Sequence, residues 1–352
     1  MVPYPAGGSM DILSFEDSLA IAGEKRHLML GNGFSVAIRP DIFRYGSLFE
    51  KADFSQFPEV RQTFDAIGSE DFEEAVEALE RAALVLAAFT EDAPPISKRM
   101  RECAAKIKDV LVQTIAGQHP EHPGNIADHQ YEACLNFVRN FRNAPSDGRI
   151  FTLNYDILLY WTLMHGKTKK MISFDDGFRT DPGNADARYV VWDDSAHNQN
   201  VYYLHGALHL FDGGHELQKY TWNRTDIALV AQTREAIAKN LFPLFVAEGS
   251  SQKKLDKIYH HGYLSKGLRS LSSVQNSLFL YGVSLSQNDV HIINIIVKNS
   301  KISKRFVSLF GSPESPGNKQ TIAAAQAASA RRDARHPLEV HFYDSETANV
   351  WG

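Results

Sequence analysis

Six short runs of apolar, β-branched and aromatic residues recur along the chain between helical patterns. They are Arg26–Leu30, Arg149–Leu153, Val201–Leu204, Ser277–Tyr281, Arg305–Phe310 and Leu338–Phe342. Most are apolar on both faces, as parallel strands are when helices cover both sides of a sheet. Several end in Gly or Asn and lead directly into a helical pattern, which is typical of the βα turns of doubly wound folds. The sequence therefore predicts an α/β protein with a Rossmann-like, doubly wound, mostly parallel sheet.

A large α-helical insertion separates the first two predicted strands. Its clearest helix is expected to begin after Ser69 as N-cap, and two more are predicted over Ile96–Ile115 and Ile126–Phe141. The stretch is roughly 90 residues, far too long for a simple βα connection. We therefore predict a helical subdomain over 57–144 inserted into a Rossmann domain of 10–56 and 145–352. Packing or oligomer contacts, or a cap over the active-site mouth, remain its alternative roles. Residues Met1–Ser9 precede a second methionine and are excluded as an extended start.

Composition excludes several classes of protein. The 352 residues carry a formal charge of −5, whereas nucleic-acid-binding domains usually have a marked basic excess. The longest apolar run, Ala82–Phe89, is too short to cross a bilayer, and no basic segment followed by an apolar stretch starts the chain. We expect a cytoplasmic protein without direct nucleic-acid or membrane contact.

Cysteine and histidine spacing argues against a metal centre. The two cysteines, Cys103 and Cys134, form no C-x-x-C pair and cannot supply a four-thiolate zinc site. Both lie in amphipathic helical patterns, so buried free thiols are expected. His205 and His209 have a metal-like spacing but flank a strand break instead of sharing a helix face. No metal is predicted.

Polar and glycine-rich segments follow four of the predicted strands. The first strand runs into the segment Gly31–Ser35, G-N-G-F-S, whose glycines allow the backbone to approach a phosphate at a helix N-terminus. A tight structural turn is the alternative, because the dinucleotide fingerprint wants a third small residue where Val36 stands. The second strand leads into Asn154 and Asp156, where ligands of open α/β sheets bind. The alternative is that one of them only caps the next helix, predicted over Ile157–Met164.

Two further strand ends offer candidate site residues. His205, followed by Gly206, is a candidate general base near neutral pH, although a lone histidine is more often a surface or core residue. The fourth predicted strand runs into Gly282 and Ser284, where Ser284 is placed to contact a phosphate or ribose. Asp289 is either a ligand or a helix N-terminal acid. The loop Phe245–Ser251 is interpreted as an ordinary loop in preference to a nucleotide contact.

The order of these motifs is more specific than any one of them. G-N-G-F-S, T-L-N-Y-D, L-H-G and Y-G-V-S-L, each at a strand end, resemble the sirtuin superfamily, which carries G-A-G-x-S, N-x-D, H-G and G-T-S-L. The chain is most similar to the bacterial sirtuin-like NAD hydrolases, including a stand-alone family of unknown function, in which N-Y-D replaces the deacylase motif. The segments Asp176–Phe178 and Ser286–Asp289 also resemble that branch. The resemblance covers most of Leu28–Asp344 apart from the helical insertion.

The resemblance implies a site and a reaction. Asn154 and His205 become the catalytic pair, with Asp156 orienting Asn154 or lying near the nicotinamide. Within the cofactor-binding set, the first-loop glycines and serine would hold the pyrophosphate and its ribose, and Ser284 the adenosine side. That set is Gly31, Asn32, Gly33, Phe34, Ser35, Gly282, Ser284 and Asp289.

NAD would be a substrate, cleaved at the nicotinamide–ribose bond to nicotinamide and ADP-ribose without a metal. The resemblance further implies an NAD-depleting effector of bacterial antiphage defence. Such an effector is expected to be a homo-oligomer, with a ring-shaped ATPase or another defence protein as its partner.

Two alternatives belong to other functional classes. A protein deacylase or ADP-ribosyltransferase of the sirtuin type would need the four-cysteine zinc module, which two isolated cysteines cannot build. A regulatory module that binds NAD or ADP-ribose without turnover would need neither Asn154 nor His205. An NAD glycohydrolase is therefore the favoured prediction.

Overall fold

A computed structural model describes residues 11–55, 57–221, 224–225 and 227–352. The excluded segment Met1–Ser9 lies outside the described residues. In chain order the strands are β1 (Ile12–Leu13), β2 (Arg26–Leu30), β3 (Ile150–Thr152), β4 (Phe178–Arg179), β5 (Tyr189–Trp192), β6 (Val201–Tyr203), β7 (Gly206–Asp212), β8 (Leu217–Tyr220), β9 (Pro243–Phe245), β10 (Asn276–Tyr281), β11 (Ile302–Leu309) and β12 (Glu339–Asp344).

Among the described residues, eight α-helices precede β3 and six follow it. They are α1 (Phe15–Ala22), α2 (Gly33–Ile38), α3 (Pro40–Phe43), α4 (Tyr45–Lys51), α5 (Pro58–Ile67), α6 (Phe72–Val85), α7 (Ala93–Gln118), α8 (Asp128–Arg142), α9 (Leu158–Thr168), α10 (Leu229–Ala238), α11 (Ser251–His260), α12 (Gly262–Ser272), α13 (Val290–Lys298) and α14 (Pro316–Ala330). The predicted α/β class is confirmed.

Seven strands form the main sheet, in the order β1-β12-β11-β10-β2-β3-β6, and every pairing in it is parallel. All six predicted runs are strands of this sheet, and the edge strand β1 is an addition. Leu30 pairs with both Tyr281 and Thr152, and Thr152 pairs with Tyr203. The carboxyl ends of β10, β2, β3 and β6 are thus in register, which brings the residues after them together at one edge.

A second sheet of five antiparallel strands, β4-β5-β8-β7-β9, was not predicted. The chain passes from the main sheet into it at Leu204 and His205, which alone separate β6 from β7. Gly206 makes this passage feasible: its φ is +80°, and a Cβ there would lie 1.9 Å from the Leu244 carbonyl oxygen. His205 therefore lies at the junction of the two sheets.

The insertion is a set of helices whose core continues that of the sheet. Its long helices α6 and α7 pack on each other, whereas α8 lies on the main sheet. Phe137 and Phe141 of α8 contact the Phe15 ring at 5.2 and 6.3 Å, and Phe141 contacts Phe279 of β10 at 5.2 Å. Helix α8, the last helix of the predicted 57–144 insertion, thus also covers the main sheet. The boundary between insertion and Rossmann domain at residue 144 stays a prediction.

The predicted N-cap of α6 is wrong by two residues. Asp71 caps the helix, since its carboxylate accepts a hydrogen bond from the Glu73 N–H at 2.8 Å. Ser69 instead accepts from the Asp71 N–H at 3.1 Å and donates to Glu74. The Asp71 carboxylate is a stronger acceptor than the Ser69 hydroxyl for the N–H groups at the positive end of the helix, so the aspartate takes the capping position.

The cysteine prediction is confirmed: Cys103 and Cys134 are buried and free. Within the described residues, no helix combines the length and apolar character needed to cross a bilayer.

Candidate active site

A cavity of about 310 Å³ opens at the carboxyl ends of β2, β3, β6 and β10. The main sheet contributes nine of the predicted site residues to its wall. These are Gly31, Asn32, Gly33, Asn154, Asp156, His205, Gly282, Ser284 and Asp289. The insertion contributes to the wall through residues of α6 and α7, among them Glu73, Leu111 and Ile115, and Tyr45 of α4 lines the same cavity. The insertion is therefore placed where it can cover this cavity, which was one of the two roles left open for it.

A second cavity, of about 650 Å³, adjoins the first. The two share wall residues at the ends of β2 and β10: Gly33, Gly282, Val283 and Ser284. Trp351, Asn318 and Glu346 line the far side of the second cavity. Ser284 therefore lies in the wall that the two cavities share.

Three glycines form the neck between the cavities by packing against each other. A Cβ on Gly31 would lie 2.5 Å from the Gly282 carbonyl oxygen, and one on Gly33 would lie 2.5 Å from the Gly282 Cα. The Gly33 N–H donates to the Gly282 carbonyl at 3.0 Å. These glycines are therefore required by a close approach of two backbones, a reason that the sequence motif did not reveal.

The two other residues of the first loop point away from the cavity. Phe34 is buried, contacts the Trp351 ring at 4.9 Å and accepts the Trp351 Nε1–H at its carbonyl oxygen. Ser35 is completely buried beneath the loop. Neither lines the space in which a dinucleotide would lie, although both support its wall.

Ser35 joins the ends of β2 and β3 through its hydroxyl. Its Oγ donates to Asp156 Oδ2 at 2.5 Å and accepts from Asn154 Nδ2 at 2.9 Å. The other carboxylate oxygen of Asp156 accepts the Leu158 N–H at 2.8 Å, so Asp156, one residue before the N-cap Ile157, also satisfies the first N–H of α9. Burial raises the pKa of Asp156, while these two hydrogen bonds oppose the shift. Asn154 is thus held at Nδ2, and its Oδ1 is bonded to no described residue.

His205 is bonded to a second histidine that was not predicted. Its Nε2 lies 3.1 Å from His291 Nε2, and the His291 Nδ1 lies 3.2 Å from Ser251 Oγ. Asp289 Oδ1 lies 3.9 Å from the His205 Nε2. Burial lowers the pKa of His205 well below its usual value; Lys254 adds to the shift and Asp289 opposes it. His205 is therefore neutral near pH 7.

A buried lysine links the insertion to the strand ends. Lys254 Nζ lies 2.7 Å from Glu73 Oε2 and 3.2 Å from Asp289 Oδ1. Burial raises the pKa of Glu73 to about 7, against the pull of Lys254, and Asp289 adds to the rise. The pKa of Asp289 is lowered by Lys254 and the histidines, although burial opposes this. The Tyr155 hydroxyl donates to the Val246 carbonyl at 2.7 Å and lies 3.2 Å from Glu73 Oε1.

Residues 28–351 match the family described as a domain of unknown function, DUF4917. The chain belongs to this family. The matched span includes the second sheet, the whole helical insertion and the main sheet apart from β1 and the start of β2, so the DUF4917 domain contains every residue of the site described above. No curated protein matches the chain.

Three potential metal ligands lie close together in the DUF4917 site. Ligand atoms of His205, Asp289 and His291 all lie within 4.8 Å of one another. However, the Asp289 carboxylate already has a cationic partner in Lys254, and the two imidazoles bond each other. A divalent ion there would stand beside a buried ammonium group, which Coulomb repulsion disfavours. His209 lies outside this cluster, and its ring packs on Tyr160 at 4.8 Å.

Sequence reasoning missed three charged or titratable groups of this DUF4917 site: Glu73, Lys254 and His291. Glu73 and Lys254 are 181 residues apart in the chain and meet only in the folded structure. Their local signals are ordinary, since each lies within an amphipathic helix. His291 follows Asp289 by two residues, and this spacing was the only sequence signal available for it.

Proposed function

We propose that this DUF4917 protein is an NAD glycohydrolase that cleaves the nicotinamide–ribose bond and releases nicotinamide and ADP-ribose. The observation that carries the proposal is that Asn154 and His205 line the same cavity. They follow two adjacent strands of the main sheet, β3 and β6. An amide held by Ser35 and a neutral imidazole suit hydrolysis that needs orientation and a weak base.

The proposed reaction makes limited demands on these residues. Nicotinamide leaves as a neutral pyridine and takes the electron pair of the C–N bond, so the leaving group needs no proton donor. The site must stabilise an oxocarbenium-like ribosyl centre and position a water molecule. Asn154 Oδ1 is the free acceptor for that water, and His205 takes its proton as the C–O bond forms. A base of low pKa suffices, because water attacking a cationic carbon becomes strongly acidic.

Two further features support a dinucleotide substrate. The cavities of about 310 and 650 Å³ meet at the Gly33–Gly282 contact, so one can take the nicotinamide ribose and the other the adenosine half. Lys254 offsets part of the negative charge of Glu73 and Asp289 in the first cavity, and the charge that remains favours the pyridinium cation of NAD over the neutral product. In this proposal NAD is the only small molecule required.

A receptor that binds NAD or ADP-ribose without turnover is the second candidate. The observation that favours it is the tight enclosure of His205, which is 3% exposed and engaged with His291. A receptor would bind ADP-ribose tightly and release no nicotinamide.

The deciding experiment follows nicotinamide release from NAD by chromatography, with the purified protein alone and with the product of the neighbouring gene. Variants Asn154→Ala and His205→Ala are expected to abolish release. The exposed positions Asn136→Ala and His215→Ala are the matched controls and should behave as wild type. Tight ADP-ribose binding without any release would identify the receptor instead, and full activity in His205→Ala would refute the site assignment.

The cellular role that we propose is NAD depletion during bacterial antiphage defence. Such an activity has to be silent until triggered, so we infer a homo-oligomeric switch or a defence partner such as a ring-shaped ATPase. Infection of cells carrying wild type or His205→Ala, with NAD measured over time, tests this role. Equal NAD levels in both strains would exclude it.

A further inference from the structure

A chain of three side chains runs from the cavity wall into the protein. His205 lines the cavity, His291 lies behind it and is 3% exposed, and Ser251 lies behind His291. The two imidazole rings stack with centroids 5.2 Å apart and an interplanar angle of 25°. Ser251 Oγ also accepts the backbone N–H of His291 at 2.7 Å, which fixes α13 to the N-terminal end of α11.

Only two placements of the imidazole protons allow both hydrogen bonds, the one between His205 and His291 and the one between His291 and Ser251. Burial also lowers the pKa of His291, to about 4, so both imidazoles are neutral near pH 7 and the 3.1 Å contact contains one proton. If His291 donates, His205 keeps its proton on Nδ1 and has no free lone pair. If His205 donates from Nε2, its Nδ1 is an acceptor and the Nδ1–H of His291 donates to Ser251. The first arrangement cannot act as a base, whereas the second can.

The charges around the pair select the second arrangement. Asp289 Oδ1 lies 3.9 Å from His205 Nε2, on the side where an N–H is electrostatically favoured. Lys254 Nζ donates a hydrogen bond to the same Asp289 Oδ1 at 3.2 Å. It also donates to Oε2 of Glu73, a residue of α6, at 2.7 Å. Among the described residues, none is hydrogen-bonded to His205 Nδ1.

We propose that His291 is a positioning residue that holds His205 with Nε2 protonated and Nδ1 free as the general base. The inference rests on the proposed function and deepens it. During attack the water oxygen bonds to the ribosyl carbon, and its proton moves to His205 Nδ1. The Nε2–H stays hydrogen-bonded to His291, so the imidazolium is stabilised by a neutral acceptor and by Asp289. The Nδ1–H of His291 donates a hydrogen bond to Ser251 Oγ, which is the last member of this hydrogen-bonded series.

Two substitutions at His291 separate positioning from packing. In His291→Gln the amide oxygen can accept the His205 Nε2–H, whereas His291→Phe keeps an aromatic ring and offers no acceptor. We expect His291→Phe to lower kcat about 10- to 100-fold with KM unchanged, which is less than the full scale of general-base assistance of about 10²- to 10⁴-fold because the base itself is retained. Gln should restore kcat to within about threefold of wild type. Ser251→Ala should lower kcat less than His291→Phe does, and it serves as the second test if the Phe variant fails to fold.

The tautomer itself can be measured without turnover. Nitrogen-15 NMR of imidazole-labelled protein reports which ring nitrogen carries the proton, and His205→Ala identifies the signal. Wild type and His291→Gln are expected to show Nε2–H for His205, and His291→Phe a mixture. An Nδ1–H signal in wild type, or equal kcat in the Phe and Gln variants, would overturn the proposal. If no preparation turns over NAD, the tautomer measurement still decides the role of His291, and only the proposed function fails.

Discussion

The Ser35 hydroxyl donates a hydrogen bond to Asp156 Oδ2 at 2.5 Å across two neighbouring strand ends. Ser35 Oγ in turn accepts a hydrogen bond from the Asn154 side-chain amide at 2.9 Å, so the carboxylate determines which way the hydroxyl hydrogen points. Asp156 therefore acts on the amide through Ser35, in agreement with one of the two roles expected for it.

Replacement of Ser35 by alanine is predicted to lower NAD turnover about tenfold or more and stability by about 1–3 kcal/mol, because Asp156 loses a buried partner. Steady-state kinetics and urea unfolding measure the two effects. Ser195→Ala, at an exposed loop position, is the control. Unchanged kinetics in Ser35→Ala would show that the amide needs no support.

Gly33→Ala is predicted to destabilise the protein by roughly 2–3 kcal/mol, since its Cβ would meet the Gly282 backbone at 2.5 Å. Gly117→Ala is the matched control, because a Cβ at this position in the last turn of α7 meets nothing within 4 Å. That variant should gain up to about 0.5 kcal/mol from helix propensity, since the position is at the helix end. Chemical denaturation compares the two, and equal effects would contradict the close-approach explanation.

Glu73→Gln is predicted to change the pH dependence of stability. The folded-state pKa of Glu73 is raised to about 7, above its unfolded value near 4.5. The stability contributed by this group is thus fully present below pH 4.5 and lost as the pH rises through 7. The free energy of unfolding of wild type should fall relative to Glu73→Gln across that range. Urea unfolding from pH 5 to 7.5 measures the difference, with Glu74→Gln as the exposed neighbouring control. A constant difference would exclude the shift.

His27 is predicted to destabilise the fold in acid. Its pKa is lowered to about 3, chiefly by burial, and its Nδ1 accepts the Arg149 N–H at 3.0 Å. Because the unfolded chain binds a proton near pH 6.5 and the folded chain does not, stability is lost as the pH falls below 6.5. One such histidine contributes up to about 1.4 kcal/mol per pH unit. His27→Gln, whose amide oxygen can replace the acceptor, should reduce the slope between pH 6 and 5, whereas exposed His336→Gln should not. Equal slopes would refute the assignment.

Local patterns sufficed for six of the seven strands of the main sheet because a buried parallel strand is largely apolar by itself, as in Ser277–Tyr281. The second sheet escaped prediction because β4 and β5 are short and half-exposed, in a segment rich in Asp, Asn and Gly. The strand-end motifs placed Asn154 and His205 in one cavity, as their order along a parallel sheet requires. Lys254 was invisible to the same reasoning, since a lysine in an amphipathic helix is normally solvated and its burial depends on an acid from a distant helix.

The ion pair between α6 and α11 also determines how the family's chains can be recombined. Lys254 is 1% exposed and is neutralised in part by a residue of the insertion, so removal of the insertion would leave a buried cation short of a counter-ion. The insertion is therefore not a detachable module. A chimera whose incoming insertion lacks an acid at the position of Glu73 has to exchange α11 as well, and a minimal sheet-only version of this protein should not be obtainable by truncation.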